Sequence, residues 1–290
     1  MVISEAFEAY ASDVIAMKNQ SRKTEENHYI CMRALIAHFG DLEIESLTFP
    51  MIRDWKIYLD KARSPETVRN YVIKLRVVLA YCEKTGLKVI DPKLIPVPKR
   101  TDKVPSFIPS EDVSKLIKAV GLQQAGYSTE RRTRNMAIIS MLYATGIRVS
   151  ELCNLDRTDI KEQNSFTVVG KGGKARLCFF DDRTRCYLNA YLQLRSDDKE
   201  ALFISTHNDL RITPGNIQEI FRRTWKRAGL SSPVHPHTLR HSFATNLLRN
   251  NANIRYVKDM LGHASLDTTM MYTHVVDEDL RRVYMAHHSV

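Results

Sequence analysis

The chain of 290 residues is predicted to be mainly α with a small antiparallel sheet, an α+β fold in two domains joined by a basic linker. Three observations lead there. Residues 1–88 carry four successive apolar stripes at helical spacing, most with a start or stop signal of their own. A run of prolines follows, and beyond it the pattern is again helical except for β-rich runs around a glycine turn. The expected boundaries are 1–88 for a helical domain, 89–109 for a Pro-rich linker, and 110–290 for a larger domain with a C-terminal tail.

Phe7, Tyr10, Val14 and Met17 form the first stripe, and His28, Met32, Leu35, Ile36 and Phe39 form a second that stops at Gly40. Pro50 stands at a first helical position ahead of Ile52, Trp55, Tyr58 and Leu59. Ser64 and Pro65 read as N-cap and N1 of a helix that turns Val68, Val72, Leu75, Leu79 and Cys82 inward and stops at Gly86. Pro92, Pro96, Pro98, Pro105 and Pro109 then forbid a continuous helix. Ser110 is expected to cap a helix bearing Val113, Leu116, Ile117 and Val120, closing at Gly121. The stretch SFTVVGKGGKARLCFF is expected to be a hairpin of Ser165 to Val169 and Ala175 to Phe180, and ALFIS, Ala201 to Ser205, a third strand. Thr213 and Pro214 open a helix with Ile217, Ile220, Phe221, Thr224 and Ala228 inward.

Lys and Arg number 43 against 33 Asp and Glu, a formal charge of +10, which favours a polyanionic partner such as nucleic acid. The linker lysines and arginine, Lys93, Lys99, Arg100 and Lys103, suit a phosphate backbone as well as a solvated tether. Cys31, Cys82, Cys153, Cys178 and Cys186 are odd in number and lack CxxC spacing, so free thiols are expected, with neither a disulfide framework nor a zinc ribbon. His235, His237 and His241 lack the order of a His-Glu-x-x-His site, and no metal is expected there. No secretory leader or membrane anchor is expected.

Several short stretches carry candidate chemistry. In YATGIRVSEL, Arg148 stands at a junction between helices, where its planar fork can meet a phosphate or brace the turn against Glu151. GKGGKAR places Lys171 and Lys174 on a glycine turn that lacks the P-loop pattern and leads into a strand, so nucleotide hydrolysis is not expected. In HPHTLRHSF, His237 and Arg240 share a helix face, a pair that is uninformative alone. GHASLDTTMMYTH adds His263 and Tyr272, with Asp267, Thr268 and Thr269 read as the start of a short helix carrying the tyrosine. A phenol of pKa ~10 attacks only with a base and cationic surroundings, and packing is the ordinary role of a tyrosine.

The combination and its order change this reading. Arg148, Lys174, His237 with Arg240, His263 and Tyr272 lie within ATGIRVSEL, GKGGKARL, HPHTLRHSFATNLL and LGHASLDTTMMYTH. Together they resemble the active-site set of the tyrosine recombinases, the phage-integrase-like family, and most closely its Xer-type members that resolve chromosome dimers. The similarity is specific over residues 133–276. In the N-terminal part, SPETVRNYVIKLRVVLAYCEKTG is similar to the family's SAM-like helical DNA-clamping domain.

The resemblance implies a site-specific recombinase that cleaves and rejoins DNA through a 3′-phosphotyrosyl link and a Holliday junction. It implies Tyr272 as nucleophile, Arg148 and Arg240 as clamps on the phosphate, His263 as a further donor, Lys174 as general acid and His237 as base. Lys171 is an alternative acid. The stored bond makes ATP, metal and cofactor unnecessary. Implied partners are a double-stranded recombination site, a homo-tetramer or pair of dimers on two duplexes, and a DNA translocase. The implied location is the cytoplasm, at the nucleoid. The tail THVVDEDLRRVYMAHHSV carries Leu280, Val283 and Tyr284 at helical spacing, suited to docking on a neighbouring subunit or on its own domain. Two alternatives are a type IB-like DNA-relaxing enzyme and a catalytically idle architectural DNA-binding protein; the six intact residues argue against the second.

Overall fold

Five apolar positions of one helix, Val68, Val72, Leu75, Leu79 and Cys82, are each at most 1% exposed and organise the first of two units. The computed structural model describes residues 1–18, 22–99, 106–122, 126–170, 173–206, 208–263, 265 and 269. The chain divides into unit 1, Met1–Lys103, and unit 2, Val104–Val290.

Unit 1 contains α1 (Ile3–Tyr10), α2 (Arg22–Phe39), α3 (Phe49–Ala62) and α4 (Pro65–Lys84). Ser64 caps α4 by accepting from the Thr67 N–H at 3.3 Å, with Pro65 at N1. Pro50 also lies in the first turn of α3, which Thr48 precedes as N-cap. The stripes of α2, α3 and α4 meet in one core around Leu35, Ile52, Trp55 and Leu75. The first stripe departs from expectation. A π turn at Ala11–Ala16 continues α1, and its wider spacing rotates the following residues, so that Ile15 is buried while Met17 is 80% exposed.

The proline-rich stretch is held at both described ends. Asp91 caps a 3₁₀ turn at Pro92–Leu94, Ile95 is buried in the unit 1 core, and Arg69 Nε donates to the Pro98 carbonyl at 3.1 Å. On the unit 2 side the Ile108 N–H donates to Ser242 Oγ at 2.8 Å, and the Arg249 guanidinium lies over the Phe107 ring. Lys93 and Lys99 are exposed, whereas Arg100 and Lys103 lie outside the described residues.

Unit 2 contains α5 (Ser110–Gly121), α6 (Thr129–Thr145), α7 (Val149–Asn154), strands β1 (Ser165–Val169) and β2 (Ala175–Phe179), then α8 (Asp182–Leu192), α9 (Pro214–Thr224), α10 (Pro236–Arg249) and α11 (Ile254–Leu261). Its core gathers around α6, whose Ala137, Ile138, Met141 and Leu142 are buried with residues of α5, β1 and α9. Pro109, not Ser110, occupies the N-cap of α5, one residue earlier than expected. Thr213 caps α9 as anticipated, accepting from the Asn216 N–H at 3.2 Å.

The hairpin pairs β1 with β2 antiparallel, Phe166 opposite Cys178 and Val168 opposite Arg176. Phe166, Val168 and Cys178 face the core. The expected third strand is not formed: Ala201 and Ile204 make only isolated bridges, to Asp156 and Arg211. Buried arginines occupy acceptors that a ladder would use, since Arg195 donates to the Ala201 and Leu202 carbonyls and Arg134 to the Ile204 carbonyl. The five cysteines are free, Cys186 exposed and the other four buried. No helix among the described residues is long and apolar enough to cross a membrane.

Because Leu75 is fully buried and Leu94 is 63% exposed, truncation should separate them sharply. Leu75→Ala should cost about 2–4 kcal/mol in chemical denaturation of unit 1, and Leu94→Ala less than about 0.5 kcal/mol.

Candidate active site

Helix α11 ends in a tight cap in which Gly262, at φ +65°, donates to the Asp259 carbonyl and the His263 N–H donates to that of Lys258. Such an ending leaves the last carbonyls without helical donors. Three different arginines fill them. Arg176 Nε donates to Met260 O at 2.9 Å, Arg240 Nη2 to Leu261 O at 2.6 Å, and Arg148 Nη2 to Gly262 O at 3.4 Å. Cations at a helix C-terminus are also favoured by the helix dipole.

Each arginine comes from a different element. Arg148 is the N-cap of α7, two residues after the α6 C-cap at Gly146. Arg240, 4% exposed, projects from α10 and also donates through Nη1 to Gly146 O at 2.7 Å. It therefore ties the end of α6 to the end of α11. Gly146 has φ +62°, and a Cβ there would stand 2.3 Å from the Phe243 ring, so only glycine allows this close approach. Arg176 stands on β2, two residues beyond Lys174.

Glu151 joins two of the three. Its carboxylate accepts from Arg148 Nη1 at 2.9 Å and from the Arg148 N–H at 2.7 Å, and it receives both terminal nitrogens of Arg176 at 3.0 and 2.6 Å. Burial opposes its ionisation, but the Arg176 fork, the Arg148 N–H and the Arg148 side chain outweigh this and hold its carboxyl at about 2. Arg148 thus braces its helix on Glu151, one of the two roles weighed for it, while its Nη2 reaches the end of α11.

His263 follows the cap, with Nδ1 at 2.9 Å from the hydroxyl of Thr269, a residue that is fully buried. His237 lies on the first turn of α10, three residues before Arg240 and on the same helix. Lys174 is exposed at the foot of the hairpin turn, where its carbonyl accepts from the Gly170 N–H at 2.9 Å. The structure thus gathers Arg148, Arg240 and His263 around the end of α11. Tyr272, Lys171, Gly172, Asp267 and Thr268 of the expected helix start, and the tail lie outside the described residues. Among the described residues no group of three or more His, Cys, Asp or Glu is placed to hold a metal ion.

Residues 106–279 match the phage integrase family, and residues 6–95 match the phage integrase SAM-like domain. The chain belongs to the phage integrase family. It is 34% identical to the tyrosine recombinase XerD of Oceanobacillus iheyensis over 79% of this chain and 78% of that one. It is 31% identical to the tyrosine recombinase XerC of Bacillus pumilus over 93% and 92%. The crystal structure of XerA recombinase covers 99% of each chain at 28% identity with a TM-score of 0.55. The XerH site-specific recombinase bound to palindromic difH substrate shares the fold at 23% identity, covering 93% of this chain and 80% of that one with a TM-score of 0.75. As a tyrosine recombinase the chain is an enzyme that cleaves and rejoins DNA.

Sequence reasoning passed over Arg176 and Thr269. Arg176 falls inside the expected strand Ala175 to Phe180, and its two partners are 25 and 84 residues away. Thr269 read as a capping residue, whereas its hydroxyl is the partner of His263 Nδ1.

The imidazoles sit in a cationic, partly desolvated pocket. Burial, then Arg240 and Arg148, push His263 down to about 4; burial, then His237 and Arg240, do the same to His241. Partial desolvation, Arg240, Arg148 and His235 lower His237 as well. All three are neutral at pH 7. An unfolded histidine takes up its proton near 6.5, so acid favours the unfolded chain wherever the folded pKa lies lower. Unit 2 should therefore keep its full histidine-linked stability above pH 6.5 and lose it progressively as pH falls toward 4. Denaturation midpoints measured between pH 7 and pH 4.5 should show this slope, and His263→Gln should make it shallower, with His241 and His237 supplying the remainder.

Proposed function

We propose that this tyrosine recombinase is site-specific, with Tyr272 attacking a DNA phosphodiester to form a 3′-phosphotyrosyl intermediate. The observation that carries this reading is the convergence of Arg148, Arg240 and His263 on the end of α11, the element that leads toward Tyr272 in the sequence. Charge that develops on non-bridging oxygens needs fixed donors, and guanidiniums already held by carbonyls and a carboxylate need little reorganisation. Arg148 and Arg240 clamp the phosphate and His263 donates a further hydrogen bond. A deoxyribose 5′-oxygen leaves poorly unless protonated; Lys174, exposed on its hairpin, supplies that proton. His237, held neutral, accepts the proton of Tyr272.

On this reading residues 1–88 clamp the duplex, the linker 89–109 lays Lys93, Lys99, Arg100 and Lys103 along its backbone, and residues 110–290 catalyse. Four copies on two duplexes exchange strands through a Holliday junction, and the tail docks between neighbours. The products are resolved chromosome or plasmid dimers, which places the enzyme in the cytoplasm at the nucleoid, in the chromosome-partition phase of the cell cycle.

Tyr272→Phe should bind DNA normally yet form no covalent adduct on a nicked suicide duplex. Footprinting genomic fragments with this variant should yield one site with two-fold symmetry; sequence-indifferent relaxation of a supercoiled plasmid by the wild-type monomer would contradict site specificity. Lys174→Ala should slow cleavage by roughly 10²–10⁴-fold. A 5′-bridging phosphorothiolate, whose sulfur leaves without protonation, should restore most of that loss; equal defects on both substrates would remove Lys174 from the acid role.

A further inference from the structure

Arg176 is the point at which three elements of unit 2 meet. From β2 its two terminal nitrogens chelate Glu151 of α7 at 3.0 and 2.6 Å, while its Nε donates to Met260 O in α11 at 2.9 Å. Both side chains of the pair are at least nine-tenths buried. Two glycines wall the guanidinium. A Cβ at Gly262 would stand 3.1 Å from Arg176 Nη1, and one at Gly170, at the foot of the hairpin, 3.4 Å from the same atom. Gly170 is also within 3.9 Å of Arg148 Nη1 by the same construction. Each of the three guanidinium nitrogens donates to a protein acceptor, so the group is built into the frame instead of being presented to a ligand.

We propose that Arg176 is a positioning residue for strand cleavage, fixing Arg148 through Glu151, His263 through the end of α11, and the foot of the Lys174 hairpin through its own strand. The inference rests on the active-site reading given above and assigns a role to a residue outside that set. A planar fork is required for it: a bidentate pair sets both distance and angle, whereas a lysine supplies one point charge and no link to Met260. Loss of the fork leaves every proposed catalytic group in the chain but frees three elements to drift, and small misplacements weigh heavily on rate.

The test compares wild type, Arg176→Gln, Arg176→Lys, Glu151→Gln and the Arg176→Gln/Glu151→Gln double variant of the full chain. The probe is a nicked duplex carrying the site footprinted with Tyr272→Phe. Single-turnover adduct formation at saturating protein is measured with duplex affinity and thermal midpoint. Arg176→Gln should form the adduct about 30–100-fold more slowly while binding duplex within about threefold of wild type. Arg176→Lys should restore less than about a tenth of the wild-type rate, because charge alone does not replace the fork. The double variant removes both partners of the buried pair and leaves only the half-buried Arg148 without its carboxylate, so its midpoint should recover in part over Arg176→Gln while its rate stays no slower than the slower single variant. An Arg176→Gln rate within twofold of wild type, or a double variant that regains rate together with stability, would overturn the proposal and leave the recombinase reading intact. A wild-type chain that forms no adduct would overturn both.

Discussion

Three consecutive carbonyls at the end of α11, those of Met260, Leu261 and Gly262, each accept from an arginine of a different element. Helix ends must place these orphan acceptors somewhere, and here the need is met by β2, α10 and the N-cap of α7 together. A single backbone turn thereby fixes the relative positions of Arg148, Arg176 and Arg240. It also fixes His263, whose own N–H closes the cap. Without this turn, nothing local would bring together residues drawn from more than a hundred positions of sequence.

The electrostatics follow from the same arrangement. Arg176 and Arg148 keep Glu151 ionised, and burial together with Arg240 and Arg148 keeps the neighbouring imidazoles neutral. A neutral imidazole can take a proton from a phenol or donate a hydrogen bond to phosphate, whereas an imidazolium can do only the second. Close packing sets the tolerances. Gly146 admits Phe243 against the α6 cap and Gly262 admits Arg176 against the α11 cap, and at both the left-handed backbone and the missing Cβ are needed at once.

Much of this was legible in the sequence, for physical reasons that differ by element. The α4 stripe and its Ser64-Pro65 start are local signals, and they recur unchanged in the structure. The hairpin was legible because a glycine turn between β-rich runs has few other solutions. Met17 was misplaced because one π turn rotates a helix face without any marker residue. The strand expected at 201–205 failed because Arg195, six residues before Ala201, and Arg134 of α6 take its carbonyls. Motif order led to Arg148, Arg240 and His263, which the structure brings together, but Arg176 and Thr269 act through partners that no local pattern names.

On the proposed mechanism, the arginine-held end of α11 is the phosphate centre served by Tyr272. The most direct measurement is mass spectrometry of the covalent adduct trapped on a nicked duplex and trimmed with nuclease. A 3′-phosphonucleotide on the peptide containing Tyr272, and on that residue alone, is the expected result. A nucleotide carried by any other side chain would contradict it.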